Sequence, residues 1–223
     1  MVFPRSRILV FAKAALPGRA KTRLIPALGA AGAADLHRRL VLHTLQRVTH
    51  AALCPVQLWC AHDKQLPFFK TCAQRFPLEL HQQSSGDLGE RMFHALSHAL
   101  NDADQALIIG TDCPTLDASH FRAALSALKQ GDDAALTPAA DGGYVMLGVR
   151  RSDRLLFSDI AWGGDTVLSA TRQRLESLDW RWREAAVHHD IDRPEDLALL
   201  EQVRLEGDCG QAACGEEALP LRS

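Results

Sequence analysis

The chain has 223 residues, of which 47% are hydrophobic and 23% are charged, and its formal net charge is -2 at pH 7. This composition suits a soluble α/β protein with a buried core, and the charge balance excludes a global basic field for nucleic acid or anionic membrane. No apolar stretch reaches the roughly 18 to 20 residues of a membrane span, and the first residues lack the apolar region of a signal peptide. We therefore expect a cytoplasmic protein without nucleic-acid or membrane partners.

The chain is predicted to form a single domain over residues 1–206, followed by a loose C-terminal tail over 207–223 that is rich in Gly and Ala. Its six cysteines include no CxxC pair, which favours free thiols over a disulfide framework. Cys209 and Cys214 lie in the predicted tail, where free thiols are again the favoured interpretation. No feature of the sequence indicates an oligomeric state.

A basic loop follows the first predicted strand. Residues 7–13 read as a buried strand, 14–24 as a loop with a Pro-Gly turn, and 29–48 as an amphipathic helix. Backbone N–H groups and cations in such a loop can bind phosphate oxygens, although neither a GxxxxGK[ST] nor a GxGxxG motif is present. A solvated basic loop is the alternative, but four cations within eleven residues favour a phosphate site. These cations are Lys13, Arg19, Lys21 and Arg23.

The next segment alternates short strands with helices. Strands are predicted at 56–60 and 78–81, with a short helix at 66–76 between them. Asp87 is predicted to cap a helix whose apolar face holds Leu88, Met92, Leu96 and Leu100. His94 and His98 are four residues apart and could bind zinc, but without an HExxH pattern or a third ligand a solvated helix face is the favoured interpretation.

A central stretch at residues 106–115 is predicted to place an acidic side chain at the edge of the sheet. Four apolar residues run from Ala106 to Ile109 without a polar face, as in a strand covered on both sides. Asp112 follows directly, at the carboxyl end where open α/β sheets bind ligands, and is a predicted Mg²⁺ ligand. The alternative is a carboxylate that caps the next helix or closes a turn. Cys113 is interpreted as a small buried residue rather than a nucleophile.

The remaining elements complete a strand and helix alternation. Helices are predicted at 117–128, 167–178 and 189–200, with Asp165 or Thr166 capping the second, and strands at 133–138, 144–149 and 184–188. The turn at Asp141-Gly142-Gly143 fits either a tight hairpin or a close approach to a ligand. Alternation of this kind predicts an α/β fold with three layers, α/β/α, around a mostly parallel central sheet.

Five segments together resemble the DUF2064 family, whose members are also described as radical-SAM/selenodomain-associated transferase 1. This family belongs to the nucleotide-diphospho-sugar transferase (GT-A) superfamily, alongside molybdenum-cofactor and phospholactate guanylyltransferases. The resemblance covers about residues 7–200 in the family's order. Its segments are Lys13 with Pro17–Leu24, Gly86–Met92, Gly110–Pro114, Asp141–Tyr144 and Trp162–Thr166.

The resemblance implies roles for individual residues. The basic loop corresponds to the superfamily's phosphate-binding loop, and Asp112 to its metal-binding Asp. The segment 190–197 resembles the closing Asp-x-Asp-x-Pro-Glu-Asp-Leu of cytidylyl- and guanylyltransferases, which implies Asp192 as a second metal ligand with Asp190 behind it. Capping of a helix before Pro194 is the alternative for Asp192. The implied catalytic residues are Lys21, Arg23 and Asp112. The implied nucleotide- or substrate-binding residues are Lys13, Gly18, Arg19, Asp87, Arg91, Asp141, Gly142, Gly143, Tyr144 and Asp165.

The expected activity is that of a metal-dependent transferase that uses a nucleotide-activated donor and a small-molecule acceptor. The implied cofactor is Mg²⁺ or Mn²⁺. The donor is an NTP in nucleotidyl transfer, where an acceptor phosphate attacks the α-phosphorus, or a nucleotide-sugar in glycosyl transfer. Because Gly110 replaces the first Asp of an Asp-x-Asp motif, this motif does not favour glycosyl transfer. A non-catalytic nucleotide-binding or partner-docking protein is the alternative from another class.

Overall fold

Seven strands form one sheet in the computed structural model, which describes residues 1–203 and 205. The strands lie in the order β3-β2-β1-β4-β6-β5-β7. Their bounds are β1 Ser6–Ala12, β2 Val56–Cys60, β3 Glu79–Gln82, β4 Gln105–Ile109, β5 Ala134–Pro138, β6 Tyr144–Val149 and β7 Trp182–Glu184. All strands run parallel except β6, which pairs antiparallel with both β4 and β5. The prediction of a mostly parallel sheet is confirmed.

Helices cover both faces of this sheet. They are α1 Ile25–His50, α2 Pro67–Arg75, α3 Leu88–Leu100, α4 Ala118–Lys129 and α5 Val167–Ser177. Apolar residues of α1, α2 and α4 pack with one set of strand side chains, including Ile8 and Leu107. Those of α3 and α5 pack with the alternate set, including Leu9 and Ile108. Because successive strand side chains point to opposite faces, this division confirms the predicted three layers.

Strand β4 lies at the centre of the sheet and is buried along its whole length. It pairs with β1 on one side and with β6 on the other. A strand covered on both faces needs an unbroken apolar sequence, which Ala106 to Ile109 supplies. The polar residues that follow Ile109 therefore emerge at the carboxyl edge of the sheet, next to the end of β1.

Helix α1 begins earlier than predicted. The last strand and the closing helix differ more from their predicted bounds and type. Helix α1 begins at Ile25 and is kinked at Gly29, whose φ is 70°. The predicted strand at 184–188 is wrong in its bounds: β7 ends at Glu184, and only His188 makes an isolated bridge, to Ala139. Between Glu184 and His188 this segment contains one residue more than the stretch of chain it pairs with, so a bulge interrupts the strand.

The predicted closing α-helix is a 3-10 helix at Pro194–Gln202. Leu197, Leu200 and Val203 all pack against a small apolar cluster that includes Leu24. Leu199 packs against the same cluster, so the apolar residues of this helix are not confined to one face. A further 3-10 helix at Arg154–Phe157 was not predicted.

Four cysteines are buried free thiols, namely Cys54, Cys60, Cys72 and Cys113. Burial raises the pKa of the Cys54 and Cys60 thiols to about 12, and it also raises the pKa of Cys113. Thiols with raised pKa values are poor nucleophiles, in agreement with a packing role for Cys113. The predicted tail over 207–223, with Cys209 and Cys214, lies outside the described residues. Among the helices that the structure describes, none is both long and apolar enough to span a membrane.

Helix α4 is capped by Asp117, which gives a testable effect of pH on stability. Its Oδ1 accepts hydrogen bonds from the backbone N–H of Ser119 and His120, and the Ser119 hydroxyl helps to lower the Asp117 pKa to about 2. The stabilisation is complete above the unfolded-state pKa near 4 and is lost as the pH falls towards 2. Replacing Asp117 with Ala should cost about 1 kcal/mol at pH 7.

Asp117→Asn is the matched variant, because Asn caps a helix without titrating. Urea unfolding of the three proteins at pH 7 and pH 3 measures both effects. Asp117→Asn should lose less stability than wild type between these pH values. Equal pH dependence of wild type and Asp117→Asn would contradict this account of the cap.

Candidate functional site

The loops at the carboxyl edge of the sheet bring the predicted site residues together. The segments that follow β1, β4, β7 and the β5–β6 turn all lie at this edge, because β6 is the single antiparallel strand among the described elements. The strand order changes direction between β1 and β4, which is the point where open α/β sheets bind ligands. A cleft of about 490 Å³ opens there, between the basic loop and the segment after β4.

Lys21 joins the two predicted metal ligands at the floor of this cleft. Its Nζ lies 2.8 Å from Asp112 Oδ1 and 3.7 Å from Asp192 Oδ1, and it donates a hydrogen bond to the Ile191 carbonyl. The Lys21 side chain is only 3% exposed, whereas the Asp112 and Asp192 side chains are 44% and 37% exposed. A buried ammonium group thus holds two partly open carboxylates on one side of the cleft.

Backbone geometry and apolar packing place Lys21 in this position. Lys21 adopts the left-handed conformation, with φ 49° and ψ 46°, immediately before a 3-10 helix at Thr22–Leu24. Leu24 then packs with Ile191 in one buried cluster, and the Ile191 N–H donates a 2.8 Å hydrogen bond to the Asp112 carbonyl. Three segments far apart in the chain are therefore fixed to one another around the ammonium group.

The structure excludes helix capping as the role of either carboxylate. Helix α4 is capped by Asp117, so Asp112 is not its cap. Asp192 accepts a 2.6 Å hydrogen bond from Arg23, and it is Asp196 that accepts hydrogen bonds from the Asp192 and Arg193 N–H groups. Neither predicted metal ligand is used for capping.

The cations of the basic loop divide into two pairs. Lys21 and Arg23 are paired with carboxylates, as described above. Lys13 and Arg19 also line the cleft, and among the described residues their side chains have no ion-pair partner. The Lys13 carbonyl lies 3.0 Å from His37 Nε2, which fixes the start of the loop. The cleft therefore presents two cations that remain available to an anion.

Arg91 adds a further cation on the opposite wall. Its guanidinium donates hydrogen bonds to the Asp87 carbonyl at 3.1 Å and to Gln83 Oε1 at 3.3 Å. The Asp87 carboxylate accepts from the Glu90 N–H at 2.9 Å in a reciprocal capping box of α3. Asp87 is not among the residues that line the cleft, and its side chain contributes to the site by fixing α3.

The carboxylates of Asp112 and Asp192 fit a divalent cation that is shared with a ligand. Both approach the same ammonium group, so they are close enough to share one charge. Within residues 1–203 and 205, no group of three or more His, Cys, Asp or Glu side chains is arranged to hold a metal ion, and His94 and His98 instead contact the edge of Trp59. Mg²⁺ commonly binds through one or two carboxylates, with substrate phosphates and waters completing its shell.

Asp190 is a third carboxylate at this edge, two residues before Asp192. Burial, together with the charges of Asp141 and Asp112, raises the pKa of Asp190 to about 7. Its Oδ1 is buried and has no hydrogen-bond partner among the described residues. The repeated Asp on either side of the buried Ile191 is the sequence signal for these two carboxylates, and both line one polar pocket.

A second cavity, of about 220 Å³, adjoins the cleft on the side of β6 and α5. Its walls are mainly apolar and include Phe11, Met92, Ile108, Tyr144, Trp162 and Val167. The Tyr144 hydroxyl points away from water, since it lies 3.9 Å from the Met92 sulfur and burial raises its pKa. Tyr144 therefore contributes its ring to the cavity rather than a free hydroxyl.

The Asp141-Gly142-Gly143 turn is explained by its own backbone. Asp141 Oδ1 accepts a 3.0 Å hydrogen bond from the Gly143 N–H, as in an Asx turn. Gly142 has φ 89°, and a Cβ there would overlap the Asp165 carbonyl, so only Gly fits. The predicted hairpin is confirmed. Asp141 and Gly143 also line the second cavity, so the same turn can contact a ligand there.

The remaining predicted site residues lie at the margin of the site. Gly18 forms an exposed turn with φ 75°. Asp165 is exposed and lines a third, polar pocket with Asp192 and Arg193. Thr166, not Asp165, precedes α5, and neither side chain makes a capping hydrogen bond. The binding roles of Gly18 and Asp165 stay predictions.

Trp162 is a cavity residue that the sequence did not identify as part of the site. A Cβ at position 89 would lie 2.6 Å from its indole nitrogen, so Gly89 lets the Trp162 ring pack directly on the first turn of α3. Trp162 and Gly89 belong to two of the segments on which the family resemblance rests. Their contact packs the two segments together, and the packed segments form one wall of the apolar cavity.

Comparisons with known proteins identify the family and the fold. The family model DUF2064, described as an uncharacterized protein conserved in bacteria, matches residues 44–164. A solved structure from Desulfovibrio desulfuricans G20, described as a candidate nucleotide-diphospho-sugar transferase, is 33% identical with a TM-score of 0.81, covering 88% of this chain and 86% of that chain. No curated protein matches the sequence.

Two more distant structures share the fold. CMP:2-keto-3-deoxy-manno-octonic acid synthetase complexed with CTP is 13% identical with a TM-score of 0.58, covering 89% of this chain and 99% of that chain. Rv0371c of Mycobacterium tuberculosis H37Rv, in complex with manganese, is 16% identical with a TM-score of 0.50, covering 88% and 97%. The chain therefore belongs to the DUF2064 family and has the fold of the nucleotide-diphospho-sugar transferases.

Proposed function

We propose that this protein is a transferase that takes a nucleotide-activated donor. The donor's phosphates would lie in the cleft against Lys13 and Arg19, and Asp112 and Asp192 would hold a divalent cation, Mg²⁺ or Mn²⁺. The observation that carries this proposal is the convergence of both carboxylates on Lys21, in a cleft also lined by Lys13 and Arg19, for which the described part of the chain supplies no ion-pair partner. Phosphate oxygens and a divalent cation are complementary to such an arrangement.

The related structures support the donor class. The relative from Desulfovibrio desulfuricans is described as a candidate nucleotide-diphospho-sugar transferase. The synthetase that shares the fold is bound to CTP, and the mycobacterial protein that shares it is bound to manganese. A nucleotide and a divalent cation have thus been found on this fold in proteins other than this one.

The cations of the basic loop and the two carboxylates have separate tasks in the proposed function. A bound divalent cation would supply Lewis-acid stabilisation of the charge that develops on the leaving phosphate. Lys13 and Arg19 bind and orient the phosphates. Lys21 neutralises the carboxylates and also faces the charge that develops on the leaving phosphate. Arg23 fixes the Asp192 carboxylate through its 2.6 Å hydrogen bond. The side chains act by positioning and by charge neutralisation.

The bond that is broken distinguishes the two forms of the activity. In nucleotidyl transfer an acceptor oxygen attacks the α-phosphorus of an NTP and pyrophosphate leaves. In glycosyl transfer an acceptor oxygen attacks the sugar carbon of a nucleotide-sugar and the nucleoside diphosphate leaves. The charged cleft fits the phosphates of both donors, so the leaving group released during turnover is the measurement that separates them.

The proposed function is tested by a thermal-shift screen of NTPs and nucleotide-sugars, each with Mg²⁺, with Mn²⁺ and with EDTA. A ligand that binds the native state raises the apparent stability, so the donor should raise the melting temperature in the presence of metal. Positive ligands are then assayed for release of pyrophosphate or nucleoside diphosphate. Tight binding without turnover would favour the alternative of a non-catalytic nucleotide-binding protein, and no stabilisation by any nucleotide would contradict the proposal.

Arg19→Ala should weaken binding of the nucleotide found in that screen by about tenfold or more. The reason is the loss of a charge-assisted hydrogen bond to phosphate, worth about 1.5–3 kcal/mol. Arg122→Ala is the matched control, since Arg122 is an exposed Arg on α4 that lines none of the described pockets. Calorimetry of both variants measures the effect. Equal affinities in the two variants would remove Arg19 from the phosphate site.

A further inference from the structure

The cleft and the apolar cavity beside it differ sharply in charge. Five cations line the cleft: Lys13, Arg19, Lys21, Arg23 and Arg91. Among the described residues that line the apolar cavity, none is Lys, Arg or His, and the charged ones are Asp141 and Asp190. An anionic group placed in the cavity would therefore meet two acidic side chains, whereas Lys21, whose charge acts on Asp190, lines the cleft and not the cavity.

The two spaces meet at a small number of residues. Phe11, Leu88 and Gly110 line both of them. Gly110 follows β4 two residues before Asp112, so the junction lies beside the proposed metal ligands. A ligand in the apolar cavity is thus adjacent to the point where a donor's phosphates would lie.

Gly110 leaves this junction open. Its φ is not in the left-handed region, and a Cβ built there would meet no atom within 4 Å. The backbone therefore does not require Gly, and a larger side chain at this position would extend into space that is now empty. The absence of a side chain keeps the cavity connected to the cleft.

We infer that the apolar cavity is the acceptor site, and that it takes a compact molecule with an apolar body and a neutral or cationic polar group rather than a phosphorylated acceptor. This inference rests on the proposed function, because it assigns the donor to the neighbouring cleft. It also disfavours the form of nucleotidyl transfer in which an acceptor phosphate is the nucleophile.

The polar end of the acceptor is placed by the two carboxylates. Asp190 Oδ1 is buried and has no hydrogen-bond partner among the described residues, so a hydroxyl or ammonium group of the acceptor can donate to it. Asp141 lines the same cavity. The aromatic and aliphatic walls cover the apolar body, as in most small-molecule sites, where a few polar groups set orientation.

Three probes with the same apolar body test this charge selectivity: benzyl alcohol, benzylamine and benzyl phosphate. Binding to the full-length protein is followed by the ¹⁵N–¹H signal of the Trp162 indole, assigned with a Trp162→Phe variant. Benzyl alcohol and benzylamine should shift this signal saturably. Benzyl phosphate should bind at least tenfold more weakly, and its equal or tighter binding at Trp162 would overturn the inference.

Two variants locate the binding and its charge preference. Gly110→Leu should leave the melting temperature unchanged and weaken benzylamine binding at least tenfold. Asp141→Asn with Asp190→Asn should remove the penalty against benzyl phosphate, since each Asn keeps the shape and loses the charge. Unchanged selectivity in the double Asn variant would contradict the role given to the carboxylates.

Competition distinguishes an acceptor site from a base-binding site. Cytidine, guanosine and uridine should not displace benzylamine from the Trp162 signal, and displacement by a free nucleoside would overturn the inference. Nucleotide binding in the cleft is measured separately on the same protein with Mn²⁺. Failure of all nucleotides to bind, with the probe selectivity intact, would remove the proposed function while leaving the cavity's charge selectivity in place.

Discussion

Asp112→Asn should abolish the metal dependence of nucleotide binding without impairing the fold. Asp112 makes no capping hydrogen bond, Asn keeps an Oδ1 that can accept from Lys21, and the Asp192 carboxylate still faces the ammonium group, so the fold should tolerate the change. The change keeps the shape of the side chain but removes half of the carboxylate pair. We expect nucleotide affinity in Mn²⁺ to fall at least tenfold, to the value measured in EDTA.

Asp102→Asn is the control for this prediction. Asp102 is an exposed residue between α3 and β4, at the opposite edge of the sheet from the cleft. Calorimetry of the donor nucleotide with wild type and both variants, in Mn²⁺ and in EDTA, gives the comparison. If Asp112→Asn keeps the full stimulation by Mn²⁺, Asp112 is not a metal ligand.

Lys21→Met is expected to weaken both stability and nucleotide binding. The variant removes the buried ammonium group that faces Asp112, Asp192 and the Ile191 carbonyl. Loss of charge-assisted hydrogen bonds of this kind costs about 1.5–3 kcal/mol each, and the exposure of the two carboxylates places the effect on stability at the lower end. Added Mn²⁺ should restore part of the lost stability, because a cation then replaces the missing charge.

Lys21→Gly separates the charge from the backbone. Lys21 has φ 49°, a conformation that costs a non-glycine residue about 1–2 kcal/mol, and Gly adopts it freely. Lys21→Gly relieves this strain but leaves a cavity where the buried Lys21 stem packs, so it should be no more stable than Lys21→Met and should bind nucleotide equally poorly. Urea unfolding and calorimetry supply the two readouts. Wild-type nucleotide affinity in either variant would exclude Lys21 from the site.

The central strands of the sheet were predictable because the local sequence of each one marks it. Strands such as β2 and β4 are short apolar runs between turn residues, and the structure places them within one residue of the predicted bounds. The edge strand β7 was placed wrongly, since a bulge between Glu184 and His188 leaves no regular alternation. The last helix was assigned the wrong type because its apolar residues pack against a distant cluster around Leu24, which the local sequence does not show.

The charged part of the site was also accessible from sequence, but its pairing was not. The basic loop and the closing Asp-x-Asp segment stand out as motifs, and the structure brings both to Asp112. That Lys21, and not Arg19, faces the carboxylates depends on one left-handed residue and on the packing of Ile191. Neither feature has a local sequence signature.

The space enclosed by the apolar cavity could not be predicted from the sequence, for a different reason. Asp141, Gly143 and Tyr144 were predicted as binding residues, but the other wall residues of β1, α3, β4 and the segment before α5 read as ordinary core residues. Only the folded arrangement shows that Phe11, Met92 and Trp162 leave a space between them. Trp162 in particular gained a role only through its contact with Gly89.

The most direct test of the account is a calorimetric titration of CTP, GTP and a UDP-sugar into the wild-type protein, in Mn²⁺ and in EDTA. We predict saturable binding of at least one of these ligands in Mn²⁺, and weak or undetectable binding of that ligand in EDTA. Binding of equal strength in both buffers would contradict a metal shared by Asp112 and Asp192. No binding of any nucleotide in either buffer would contradict the assignment of the cleft as a donor site.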